Sequence, residues 1–98
     1  MERALEFRIR GIVQGVGFRP FVHRLAQRLD LSGWVRNEPG AVRIQVQGPE
    51  EGLRLFRRGL TESAPPLARI DGIEEEAVEP EGLRGFKVVF GNPVVSSI

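Results

Sequence analysis

A ten-residue stretch, residues 11–20 (GIVQGVGFRP), constrains the fold of this chain more than any other segment. Alternating apolar residues (Leu5, Phe7, Ile9) lead into it, and an amphipathic helical pattern leads out of it. Between the two lie three glycines, an arginine and then Pro20, where the helix is predicted to begin. The pattern therefore predicts a strand, a tight loop and a helix N-terminus in direct succession.

This loop has the composition of an anion-binding site. Glycine reaches left-handed backbone angles readily, so Gly15 and Gly17 allow consecutive amide N–H groups to turn toward one point. The first amides of a helix have no intrahelical partner, and Pro20 suits the first turn because its missing N–H would be unpaired there. Arg19 adds a planar fork that fits two phosphate oxygens. The loop could thus hold a phosphoryl dianion without a metal, although these residues equally fit a turn whose glycines only relieve crowding.

Composition limits the class of protein. We expect 98 residues to form one domain over 1–98, with a core at about 5–90 and a tail at 91–98. The net charge of +1 gives no strong field to attract nucleic acid or an anionic membrane. With no cysteine and one histidine, the chain has no disulfide, no thiolate nucleophile and no multi-histidine metal cluster. No apolar run has the length of a membrane span and no secretory leader is visible, which predicts a cytoplasmic protein.

The remaining pattern indicates a small α+β fold. The first helix should run from Pro20 to residues 30–32, with Gly33 as its stop. Strands are predicted over residues 33–37, 41–47, 68–78 and 86–90, with a second helix opened by residues 48–51. The acidic middle of the 68–78 segment is typical of an edge strand or of an exposed strand end. The order β-α-β-β-α-β plus a short C-terminal strand predicts the ferredoxin-like split βαβ fold, an antiparallel sheet with two helices on one face.

This topology gives Asn37 a specific place. The first two strands run parallel with the third between them, so their C-terminal ends lie at the same edge of the sheet. We therefore expect Asn37 to lie beside the glycine loop. An asparagine amide both accepts and donates, so it can hold a water molecule in a fixed orientation; it also suits the entry to a hairpin, and these residues alone leave both roles open.

Three segments resemble the acylphosphatase family: residues 13–19 (VQGVGFR), 33–37 (GWVRN) and 47–49 (QGP). Residues 18–22 (FRPFV) and 64–71 (APPLARID) are similar to the acylphosphatase-like N-terminal domain of HypF, the carbamoyltransferases of [NiFe]-hydrogenase maturation. The resemblance covers residues 5–90. It implies hydrolysis of the carboxyl–phosphate bond of acyl phosphates, carbamoyl phosphate above all, without a metal or organic cofactor.

The same resemblance implies a role for each site residue. It assigns catalysis to Arg19 and Asn37, the latter orienting the attacking water. It assigns phosphoryl binding to the loop, namely Gln14, Gly15, Val16, Gly17, Phe18 and Arg19. In some members the C-terminal carboxylate supports the loop arginine; here residues 91–98 run past the last predicted strand, which leaves that support open.

Alternatives to a free-standing hydrolase remain. The chain could be a non-hydrolytic carbamoyl-phosphate-binding module of a hydrogenase-maturation carbamoyltransferase, with other domains or proteins of that system as partners. It is accordingly expected to be either a stand-alone protein or one domain of a longer chain. A ferredoxin-like RNA binder would need exposed aromatics on central strands and a basic sheet face, and neither is evident. His23, the only histidine, is predicted to face solvent from the polar side of the first helix.

Overall fold

A computed structural model describes residues 2–89 and shows two helices packed against a five-stranded sheet. The elements are β1 (Glu2–Ile12), α1 (Phe18–Arg28), β2 (Ser32–Glu38), β3 (Ala41–Pro49), α2 (Glu50–Glu62), β4 (Arg69–Val78) and β5 (Phe86–Val89). The predicted order β-α-β-β-α-β with an added strand is confirmed. Phe90 and the predicted tail at 91–98 lie outside the described residues. Within those residues, no helix is long and apolar enough to cross a membrane.

The sheet has the strand order β4-β1-β3-β2-β5. β1 and β2 each pair antiparallel with β3, so they run parallel to each other on either side of it. β4 forms one edge, which is one of the two placements that its acidic middle indicated. β5 pairs parallel with β2. The four strands of the β-α-β-β-α-β core are therefore antiparallel, as predicted, and the added strand makes the sheet mixed.

One hydrophobic core lies between the helices and one face of the sheet. Alternate residues of β1 and β3 point into it, including Phe7 and Ile44, which are fully buried. Both helices contribute an apolar stripe to the same core: Phe21, Val22, Leu25 and Ala26 from α1, and Leu53, Phe56 and Leu60 from α2. The ring of Phe7 lies 5.8 Å from that of Phe56, measured between centroids. Each such buried apolar side chain contributes about 1.5–3 kcal/mol, so the core fixes both helices against the sheet.

Helix α1 begins earlier than predicted. Its first residue is Phe18, and Gly17 caps it in a left-handed conformation with φ 80°. Arg19 and Pro20 consequently both lie within the first turn, instead of Pro20 opening the helix. The first turn tolerates proline because its amides are unpaired in any case. This earlier start turns Arg19 from a loop residue into a helical one.

Helix α1 also ends earlier than predicted. Asp30 takes a positive φ of 58°, and the amide of Leu31 donates to the carbonyl of Ala26 at 2.9 Å, which closes the helix. Gly33, predicted both to stop the helix and to begin the second strand, lies within β2. A Cβ there would lie 1.9 Å from the carbonyl oxygen of Gln45, so the sheet itself requires a glycine at this position.

Candidate active site

The loop between β1 and α1 is fixed at both ends and open in the middle. Val13 and Phe18 are almost completely buried and anchor it in the core. Between them Gly15 has φ 74° and Gly17 has φ 80°, the left-handed region that favours glycine. A Cβ on either glycine would meet no atom within 4 Å. The glycines therefore meet a backbone requirement, and the alternative that they relieve crowding does not hold.

The loop gathers unpaired backbone donors. Within residues 2–89, the amides of residues 15–18 donate no hydrogen bond outside regular secondary structure. The first bond of this helical turn runs from the amide of Phe21 to the carbonyl of Gly17 at 3.2 Å. Unpaired amides at a helix N-terminus carry partial positive charge. This segment is therefore able to bind an anion through main-chain groups.

Arg19 lies next to this loop, in the first turn of α1. Its side chain is half-buried, and its Nη1 donates to the carbonyl of Val89 at 3.4 Å. Val89 ends β5 and pairs with Arg36 of β2. The guanidinium of Arg19 thus lies where β2 and β5 end, one residue along β2 from Asn37.

Asn37 lies on the helix-facing side of the sheet. It pairs with the buried Val42 of β3, and side chains alternate along a strand, so its side chain shares that face. Its Oδ1 is buried and has no hydrogen-bond partner among the described residues. Buried polar atoms are almost always paired in folded proteins, so this acceptor is suited to receive a hydrogen bond from a water or ligand.

Gln14 connects the loop to the strand end that carries Asn37. Its Nε2 donates to the carbonyl of Glu38 at 2.6 Å and to the carbonyl of Ala41 at 2.9 Å. The expectation that the loop and Asn37 lie at the same edge of the sheet is therefore confirmed. The sequence analysis assigned Gln14 to phosphoryl binding within the loop but did not indicate what its side chain contacts, because its partners lie 24 and 27 residues away.

Glu38 lies beside Asn37 but faces the other way. Its carboxylate is on the open face of the sheet, where it accepts from Arg8 Nε at 2.6 Å and from Arg43 Nε at 2.9 Å. These hydrogen bonds, that from Arg43 above all, lower the pKa of Glu38 below its ordinary value. Glu38 is therefore an ion-pair residue turned away from the loop, and it is not placed to act as a general base. Sequence reasoning missed this cluster.

Other polar residues are less suited to the chemistry. His23, predicted to face solvent, is half-buried, and its ring centroid lies 6.2 Å from that of Phe86. In the part of the chain that the structure describes, no group of three or more His, Asp or Glu side chains is arranged to hold a metal ion.

Comparison with known proteins identifies the family. Residues 5–88 match the sequence profile of acylphosphatases. The chain belongs to the acylphosphatase family. It is 48% identical to an acylphosphatase from Thermococcus kodakarensis over 83 residues, which span 84% of this chain and 90% of that protein. Further acylphosphatases are 39–45% identical over 84–90% of the chain.

The family match extends to the carbamoyltransferases. The chain is 56% identical over 72 residues to carbamoyltransferase HypF2 of Cupriavidus necator, covering 74% of this chain and 9% of that protein. The structure superimposes on a full-length HypF crystallised in a phosphate- and nucleotide-bound form, with a TM-score of 0.89 and 42% identity. That match covers 91% of this chain and 12% of HypF. The resemblance to both groups is confirmed, and the chain spans about a tenth of the HypF proteins but most of an acylphosphatase.

Proposed function

We propose that this domain hydrolyses the carboxyl–phosphate bond of small acyl phosphates. One observation carries the proposal: at one end of the sheet lie the loop amides and Asn37 Oδ1, which have no partner within residues 2–89, and the guanidinium of Arg19. The loop amides and the guanidinium bind a tetrahedral dianion, and Asn37 holds a nucleophile beside it. Membership of the acylphosphatase family supports the same chemistry.

The phosphoryl group would be bound by the loop. The amides of residues 15–18 and the guanidinium of Arg19 donate to its non-bridging oxygens, where negative charge develops during transfer. The helix dipole of α1 adds to this stabilisation because the loop lies at its N-terminus. Phosphoryl transfer depends mainly on such positioning and charge stabilisation.

The nucleophile would be a water held by Asn37. Its oxygen attacks phosphorus as the bond from phosphorus to the acyl oxygen breaks. The products are a carboxylate and dihydrogen phosphate, with both protons of the water retained on the phosphate. A carboxylate leaves without protonation, so the step needs no strong general acid, and none is present in the described loop.

Carbamoyl phosphate is the substrate that we favour. The identity of 56% to a protein named carbamoyltransferase HypF2 supports it. The same identity also favours a second candidate, in which the domain binds carbamoyl phosphate for chemistry done by other domains. Both functions use the same loop, so turnover by the isolated domain distinguishes them.

Phosphate release from carbamoyl phosphate and benzoyl phosphate tests the proposal. We expect the wild-type domain to turn over and Arg19→Ala to lower kcat by about 10²–10³-fold, the range for removal of one charge-stabilising group. Arg24→Ala is the matched control, because Arg24 is an exposed arginine of the same helix. The control should retain the wild-type rate.

The outcomes separate the candidates. A wild-type domain that binds phosphate but releases none from either substrate would favour the binding module. Equal rates for Arg19→Ala and Arg24→Ala would show that the loop arginine has no part in the reaction.

A further inference from the structure

The side chain of Gln14 makes a contact that phosphoryl binding does not require. Its Nε2 donates to the carbonyl of Glu38 at 2.6 Å and to that of Ala41 at 2.9 Å. These carbonyls flank the two-residue turn between β2 and β3. The side chain of Gln14 thus holds the loop to the hairpin, while its backbone remains part of the loop.

The two points that Gln14 joins are the two halves of the proposed site. On one side is the loop, in which the left-handed Gly15 follows Gln14 directly. On the other side is Glu38, which follows Asn37 in β2. A shift of the loop relative to the hairpin would move the bound phosphoryl group away from the amide of Asn37.

The hairpin is also held from its other side. The carboxylate of Glu38 is fixed by Arg8 and Arg43 on the open face of the sheet, while its carbonyl receives Gln14. The end of β2 is therefore held by contacts on both faces of the sheet, and the hydrogen bonds of Gln14 attach the loop to it.

We infer that Gln14 is a positioning residue, which sets the distance between the phosphoryl-binding loop and the water held by Asn37. The inference rests on the proposed function. It assigns the Gln14 side chain to the alignment of the nucleophile and leaves phosphoryl binding to the loop amides and Arg19. Loss of the side chain should accordingly affect turnover far more than binding.

Gln14→Met tests the inference, because methionine keeps the length of the side chain but has no N–H donor. The matched control is Gln27→Met, since Gln27 is an exposed glutamine of α1 whose side chain has no hydrogen bond among the described residues. We expect Gln14→Met to lower kcat about 10–100-fold, as for misplacement of reacting groups by about 1 Å. Inhibition by inorganic phosphate should change less than about threefold. Assays are run well below each variant's unfolding midpoint.

A double-mutant cycle with Asn37→Ala separates positioning from general damage. If Gln14 acts through Asn37, Gln14→Met should change the residual kcat of Asn37→Ala by less than about twofold. A measurement independent of turnover is the side-chain amide resonance of Asn37 in NMR spectra. It should shift in Gln14→Met and stay unchanged in Gln27→Met.

Several results would overturn the inference. A normal kcat for Gln14→Met in an active wild-type background would remove it alone and leave the proposed function intact. If Gln14→Met lowered kcat and phosphate affinity equally, Gln14 would be a binding or folding residue. The same conclusion would follow if Gln14→Met lowered kcat as much in the Asn37→Ala background as in the wild type. A wild-type domain without turnover would overturn the proposed function and this inference with it.

Discussion

Arg19 and Asn37 lie at the same end of the sheet but are supported differently. Arg19 belongs to the first turn of α1, and its guanidinium reaches the carbonyl of Val89. Asn37 belongs to β2, and its Oδ1 is buried without a partner in the described part of the chain. The two side chains therefore depend on different elements, and their roles should be separable by mutation.

Asn37→Ala should remove turnover while it spares phosphate binding. The change deletes the amide proposed to hold the water but leaves the loop amides and Arg19 in place. We expect kcat to fall by about 10²-fold or more, and the inhibition constant for inorganic phosphate to stay within about threefold of wild type. Steady-state kinetics with benzoyl phosphate measure both values. Hydrolysis at the wild-type rate would exclude the water-orienting role.

The placement of Arg19 and Asn37 at one end of the sheet could be predicted from sequence, but the contacts around them could not. The glycines and Arg19 are adjacent in the chain, and the fold order brings Asn37 to the same edge. The side chain of Gln14 contacts residues 24 and 27 positions away, and Glu38 contacts Arg8 at a separation of 30 as well as the nearer Arg43. No local pattern specifies such pairs, because they depend on register and on side-chain rotamers that form only in the folded protein.

At the scale of elements, the transition from β1 to α1 depends on backbone angles that glycine alone adopts without strain. Gly17 caps α1 at φ 80°, which sets where the helix and its unpaired amides begin. The sequence predicted this transition correctly but placed the helix start at Pro20. Proline is compatible with any position of the first turn, so it marks the start of a helix only to within a residue or two.

Gly17→Ala should destabilise the fold without any steric clash. A left-handed conformation costs an L-residue about 1–2 kcal/mol, which lowers the thermal midpoint by about 4–8 °C per kcal/mol in a domain of this size. Phosphate affinity should fall with it, because relief of the strain moves the loop amides. Thermal unfolding and phosphate titration measure the two effects.

Gly82→Ala provides the control for that substitution. A Cβ at Gly82 would also meet no atom within 4 Å, but its φ is not positive. The free energy of unfolding of this variant should stay within about 0.5 kcal/mol of the wild-type value. Similar losses in both variants would mean that the backbone angle of Gly17 is not the cause.

At the scale of the whole molecule, the hydrophobic pattern was sufficient to predict that two helices pack against one face of a sheet. Alternation in the strands and the apolar stripes of both helices specify one core, and the structure places them there. The parallel pairing of β5 with β2 was not predicted. A strand of four residues carries no signal for its neighbour, and its place depends on the edge of the sheet that the rest of the fold leaves open.

The open face of the sheet is held by a network of charges that joins four strands. Arg8 of β1 donates to Glu38 of β2 and Glu74 of β4, and Arg43 of β3 donates to Glu38 and to Glu6 of β1. Glu38 is the centre of this network, with its side chain only 18% exposed. Its ionisation is therefore coupled to the stability of the whole sheet.

This coupling predicts how stability depends on pH. The two arginines lower the pKa of Glu38 in the folded state, so the folded protein favours the carboxylate more than the unfolded chain does. The stabilisation is present in full above the unfolded pKa and is lost as the pH falls through the folded one. A hydrogen bond to a charged group contributes about 1.5–3 kcal/mol, so Glu38→Gln should lower the thermal midpoint by about 6 °C or more at neutral pH.

The difference between Glu38→Gln and wild type should narrow as the solution is made acidic, because the wild type then loses its own carboxylate. Glu79→Gln is the matched control, since Glu79 is exposed and has no ion pair among residues 2–89. Its midpoint should follow that of the wild type at every pH. A Glu38→Gln deficit that persists undiminished in acid would mean that the shape of the side chain, and not its charge, holds the four strands together.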